Sequence, residues 1–194
     1  QYNLEMYRKG QGIPQDFKEA VKWHTKAADQ GYVHAQYSLG WMYANGQGVP
    51  KDYKEAVKWY RLSAEQGHAT AQNNIGNMYR LGEGVPKDYI QAYAWYNLAA
   101  EQGNTTAQGN LGAMYYKGDG VQKDYNEARK WFLLAAEQGH ATAQNNLGLM
   151  YNYGHGVQKD YDEARKWYMK AAEQGYATAQ NNLGLMYRLG EGVP

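Results

Sequence analysis

The sequence predicts an all-α superhelical solenoid of 36-residue helix-turn-helix repeats, on three observations. The first is literal repetition: AQNNLGLMY at 143–151 returns at 179–187, and RLGEGVP at 80–86 returns at 188–194. The second is register. Steps of 36 residues align Gly12, Gly48, Gly84, Gly120, Gly156 and Gly192, then Asp16, Asp52, Asp88, Asp124 and Asp160, then Trp23, Trp59, Trp95, Trp131 and Trp167. The third is that apolar residues between these columns recur at helical spacing. A fixed period of this length means stacked units that share a core with their neighbours, so one domain over 1–194 is expected, with about five repeats and partial terminal units. QYNLEMY at the start reads as an irregular copy of the repeat that lacks a glycine between Leu4 and Glu5.

Each unit reads as two helices. The first, 52–66 in one copy, opens with Asp52 and has Glu55 three residues on, the capping-box spacing. Tyr53, Ala56, Tyr60 and Ala64 share the face expected to be core, and Lys54, Lys58 and Arg61 the face expected to be solvated. Gly67 suits the left-handed position just past the helix end. The second helix, about 69–81, carries Ala71, Ile75, Met78 and Tyr79 on one apolar face. Its Gly76 costs about 1 kcal/mol of helix propensity against alanine, so a neighbouring helix backbone is expected to pass close. GEGVPKD then leads to the next capped helix, and Pro86 excludes helix there.

Composition removes several functions. The formal net charge of +1, with interspersed acidic and basic residues, gives no field for nucleic acid. The chain has no cysteine, so no disulfide framework, thiolate nucleophile or cysteine metal site is expected, and both oxidising and reducing compartments suit it. No apolar run reaches the length of a membrane span, and no signal peptide opens the chain.

The pattern AxxxLGxMYxxGxGVxxDYxEAxxWxxxAAxxG resembles the Sel1-like repeat, an α/α hairpin related to the tetratricopeptide repeat, over essentially the whole chain. The resemblance implies a right-handed superhelix and a non-enzymatic scaffold or adaptor that binds a protein or peptide on its concave side. The LG-containing helix would line that side. Gln122 and Gln158 replace the loop proline. No terminal capping helices are visible, so copies could self-associate through the repeat ends.

With that orientation, the face opposite Ala35, Leu39, Met42 and Tyr43 forms a candidate partner-binding stripe. It comprises His34, Tyr37 and Trp41, then Asn73, Asn77 and Arg80, then Tyr116, then Asn145 and Leu149, and finally Asn181, Leu185 and Arg188. These are the positions where the units disagree most. Of 23 glycines only Gly109 leaves the repeat columns, and of six tryptophans only Trp41 does. Residues in register are explained by packing; those out of register are where binding chemistry is sought. Tyr37 and Trp41 read as an aromatic anchor pair, and the asparagines as donors and acceptors for a peptide backbone. Trp41 could equally pack on the irregular first helix, and the asparagines could form a ladder between helices.

No catalytic or metal constellation emerges, and no cofactor is expected. His34 stands isolated on the stripe, His24 occupies an aromatic column, His68 and His140 share a variable turn position, and His155 lies in a loop. Neither Ser38 nor Ser63 sits in a nucleophile motif. GxGV leads into a turn and is no phosphate loop. A carbohydrate or peptidoglycan binder is the alternative reading, since Tyr, Trp and Asn also suit sugar rings. A cell-wall-active hydrolase is third.

Overall fold

The computed structural model describes residues 14–192; Gly12 and the irregular copy around Leu4 lie outside them. Among the described residues there are ten α-helices and no strands. They are α1 (Phe17–Ala28), α2 (Val33–Asn45), α3 (Tyr53–Glu65), α4 (Ala69–Leu81), α5 (Tyr89–Glu101), α6 (Thr105–Lys117), α7 (Tyr125–Glu137), α8 (Ala141–Tyr153), α9 (Tyr161–Glu173) and α10 (Ala177–Leu189). The chain divides into two compact units with a border between Ala99 and Ala100.

The helix starts follow the sequence reading in part. Asp52 accepts from the N–H groups of Lys54 and Glu55 at 2.8 and 3.2 Å, and Asp124 does the same for Asn126 and Glu127. The reciprocal arm of the capping box is not used. The Asp52 N–H donates instead to the Tyr43 carbonyl (3.0 Å), as Asp124 does to Tyr115 and Asp160 to Tyr151. Glu55 and Glu127, released from that duty, pair with Lys58 and Lys130 on the surface. Arg61 also departs from expectation, because its guanidinium donates to the Tyr79 hydroxyl.

The repeated helix glycine first meets a flat ring, and at Gly76 a helix backbone as well, since a Cβ there would lie 2.7 Å from the Tyr96 ring and 3.3 Å from the Ala92 carbonyl oxygen. A Cβ on Gly40 would lie 2.5 Å from the Tyr60 ring, on Gly112 2.5 Å from Phe132, and on Gly148 2.5 Å from Tyr168. These pairs join an LG helix to the capped helix that follows it across the GxGV loop, and the tightest packing in both units lies there. The two loop glycines divide the work. Gly46 ends α2 in the left-handed region (φ 69°). Gly48 is also left-handed, and a side chain on it would strike the Phe17 carbonyl at the start of α1.

A glutamine device, unread in the sequence, ties successive hairpins. Gln36 donates to the Ala28 carbonyl at the end of α1 (3.3 Å), and Gln66 donates to the Gln36 amide oxygen (2.7 Å). Gln144 and Gln174 repeat the pattern on Ala136, and Gln108 and Gln138 on Ala100. Buried carbonyls at helix ends need such donors. This accounts for the AQ and EQG columns. In the first unit Ala56, Tyr60, Ala71, Ile75 and Met78 form one core cluster; in the second, Ala128, Phe132, Ala143, Leu147 and Met150 form its counterpart.

Candidate functional site

The stripe residues meet three different fates. In the first unit, His34 is exposed but not isolated as expected: its ring meets His68 edge-on at 5.2 Å and Tyr32 at 5.6 Å. Tyr37 stacks on the same His68 at 4.8 Å. The shared turn column is therefore structural. His68 Nδ1 accepts from the Ala71 N–H and caps α4, as His140 caps α8 through Ala143 and Asn104 caps α6 through Ala107. Burial lowers the pKa of His68, with His34 adding to the effect, and burial lowers that of His140. Gly109 is the one glycine outside the columns, and the His140 ring lies 3.1 Å from where its Cβ would be. The glycine makes room for the His140 ring, whereas Tyr37 in the same column stacks on His68.

Trp41 is half-buried and lies with Tyr37 against the core cluster of α3 and α4, so among the described residues it packs on the following hairpin; the irregular first helix lies outside them. Asn73 is buried. Asn77 and Arg80 are engaged by one core residue: the Tyr96 hydroxyl donates to Asn77 Oδ1 (2.7 Å) and accepts from Arg80 Nε (3.1 Å). Burial raises the Tyr96 pKa against the opposing pull of Arg80. This arrangement can stabilise the hairpin, and it leaves the Arg80 terminal nitrogens for further bonding.

In the second unit Tyr116 is half-buried and its hydroxyl lies 2.7 Å from His155 Nδ1. Its ring packs on Tyr125 and Phe132, and Tyr125 stacks flat on His155 (4.8 Å, 5°). Burial raises the Tyr116 pKa, with the neighbouring Tyr125 contributing. Asn145 is buried and accepts from Asn182 Nδ2 (2.9 Å), a bond between neighbouring stripe helices. Leu149 is half-buried, and Asn181, Leu185 and Arg188 are exposed. Between α8, α9 and α10 a cleft of about 220 Å³ opens, lined by Leu149, Asn152, Tyr161, Tyr168, Leu185 and Glu191 among others. Asn152, Lys159, Tyr161, Tyr168, Asn182 and Glu191 carry its polar character; Asn152 belongs to the stripe face expected from the sequence, whereas Glu191 was not singled out there. Its signal was present: 191 stands in the column of His155.

Among the described residues no group of three or more His, Cys, Asp or Glu could hold a metal ion, and no helix is long and apolar enough to cross a membrane. What the stripe offers chemically is aromatic and apolar surface with amide, guanidinium and hydroxyl groups.

Comparison with known proteins bears on this geometry. The family model of the Sel1 repeat matches residues 5–32, 33–68, 69–104, 105–140, 141–176 and 177–194. Its unit begins at the LG helix, which agrees with the tight pairing across the GxGV loop. Among solved structures, c5321, a protective antigen present in uropathogenic Escherichia coli strains, is 43% identical with a TM-score of 0.94; the match covers 98% of this chain and 41% of that one. A Sel1 repeat protein from Oxalobacter formigenes is 40% identical with a TM-score of 0.91, covering 97% and 75%. The Helicobacter pylori cysteine rich protein B is 25% identical with a TM-score of 0.53, covering 66% and 92%. A comparison with curated proteins found no match.

Proposed function

The chain belongs to the Sel1 repeat family, and from that premise we propose that it is a protein-interaction scaffold without catalysis of its own, holding a peptide or protein segment on the stripe of its LG helices. Sel1 repeat proteins are in general protein-interaction modules. One observation carries the proposal to this chain: accessible aromatic, apolar and polar stripe residues gather on one face of the LG helices. In the first unit that face presents His34 with half-buried Tyr37 and Trp41; in the second it presents Leu149, Asn181, Leu185 and Arg188. Apolar and aromatic groups with flanking polar donors suit an extended peptide better than they suit nucleic acid, which would need a basic field.

The test is a displayed library of random peptides panned against the chain and against a His34→Ala/Leu185→Ala/Arg188→Ala variant. All three side chains are exposed, so the variant should keep its helicity and melting temperature. Peptides enriched on the chain and at least about tenfold weaker on the variant support the reading. A library that yields no enriched peptide, or peptides indifferent to the variant, removes it.

A further inference from the structure

We propose that the cleft at Asn152 is a receptor for a tyrosine side chain presented by a partner polypeptide. The inference rests on the scaffold reading above and names the chemistry of what is bound. The repeat itself supplies the template. One register step earlier, the place of Asn152 is taken by Tyr116, that of Tyr168 by Phe132, that of Tyr161 by Tyr125 and that of Glu191 by His155. There Tyr116 fills the space, with its ring on Tyr125 and Phe132 and its hydroxyl on His155 Nδ1. Replacing that tyrosine by asparagine, on the same helix pairing, vacates a volume shaped like an aromatic ring.

The open cleft has also kept the polar end that a phenol requires. Tyr168 is only 2% exposed and lines the cleft. In the first unit the equivalent Tyr96 hydroxyl has Asn77 and Arg80 as partners; here those two positions are Leu149 and Asn152. Asn152 Oδ1 is buried from solvent and unbonded. A buried polar atom without a partner is costly, and Asn152 borders the cleft. Glu191 already accepts from the Tyr161 hydroxyl through Oε1 (2.7 Å), and a carboxylate has further acceptor capacity. Leu149 and Leu185 supply apolar walls. At about 220 Å³ the cleft is smaller than the roughly 300 Å³ at which drug-sized pockets begin, which fits a single ring-sized group.

The decisive probe is N-acetyl-tyrosinamide, titrated into the isotopically labelled 194-residue chain and followed by amide shifts. Saturable shifts at residues 152, 185 and 191 are expected, at a dissociation constant on the order of millimolar for so small a ligand. N-acetyl-phenylalaninamide should bind about fivefold more weakly for want of the hydroxyl bonds, and glucose should leave these amides unmoved. Asn152→Tyr, which refills the space as Tyr116 does, should weaken binding at least about tenfold, whereas Asn152→Ala, which keeps the space but removes one polar partner, should weaken it only about threefold. Absence of shifts, binding that survives Asn152→Tyr in a folded variant, or glucose shifting the same amides overturns the proposal. The displayed peptide library separates it from the scaffold reading. Enriched peptides without a tyrosine preference leave the scaffold standing and the tyrosine receptor fallen; a positive titration with no enriched peptide does the reverse.

Discussion

The Tyr116 site and the Asn152 site stand one register step apart in the second unit and share a floor, a glycine lying on an aromatic ring: Gly112 on Phe132 and Gly148 on Tyr168. Above the floor they diverge. Tyr116, His155 and Tyr125 close the first with stacked rings and a hydroxyl contact. Asn152 and Glu191 leave the second open, with the buried Asn152 Oδ1 unbonded beside it. In the first unit Arg80 gives a third solution at this column, reaching sideways to the Tyr96 hydroxyl. The comparison teaches that the repeat fixes a frame whose few variable residues decide whether the space above the floor is filled or open. Function in such an array is placed by leaving something out as much as by adding it.

Breaking the shared floor should have the largest effect. Gly112→Val puts a branched side chain where even a Cβ lies 2.5 Å from Phe132, and a loss of about 3 kcal/mol is expected in chemical denaturation. Gly184→Ala is the matched control. Nothing lies within 4 Å of its Cβ position, so a gain of up to about 1 kcal/mol from helix propensity is expected. Equal midpoints for the two would contradict the assigned packing.

Next in size is converting one site into the other. Tyr116→Asn should cost about 2 kcal/mol through lost ring packing and create a second cleft that takes N-acetyl-tyrosinamide. The reverse change, Asn152→Tyr, should stabilise by about 0.5–1 kcal/mol as cavity filling does. If Tyr116→Asn leaves stability unchanged, the ring contributes no packing and the comparison collapses.

A smaller effect comes through the cap of α8, the helix that bears Leu149 and Asn152. His140 Nδ1 must be unprotonated to accept from Ala143, and burial holds its pKa below the usual histidine value, as burial and His34 do for His68. With folded pKa values below the unfolded one, the unfolded chain binds more protons in acid. This stability is complete above about pH 6.5 and declines as pH falls through the folded pKa values. His68→Asn/His140→Asn copies the natural cap of Asn104 and should flatten that part of the stability–pH curve. An unchanged slope between pH 7 and 5 would show that the caps do not titrate with folding. Smallest of all, exposed Asn181→Ala should lie within about 0.5 kcal/mol, whereas Asn182→Ala should lose about 1 kcal/mol by leaving buried Asn145 without its donor. Equal values would put the Asn145–Asn182 bond in doubt.

The sequence by itself determined the period, both helices of each unit, the aspartate caps, the core columns and the family. These follow from local rules: helical spacing assigns faces within one helix, and cap chemistry acts over three or four residues. It also placed the stripe on one face. Tertiary structure alone decided what each stripe residue does. Asn145 is buried and Asn181 exposed although they share a column, because depth depends on what the neighbouring helix brings over them. Tyr116 meets His155, and Gln66 meets Gln36, at separations of 39 and 30 residues. His34 meets His68 for the same reason. Such meetings are set by how far one helix leans over the next, a quantity no single helix encodes. The cleft is the extreme case: it is the space left when a ring one register step away has no counterpart, and space becomes visible only after everything around it has been packed.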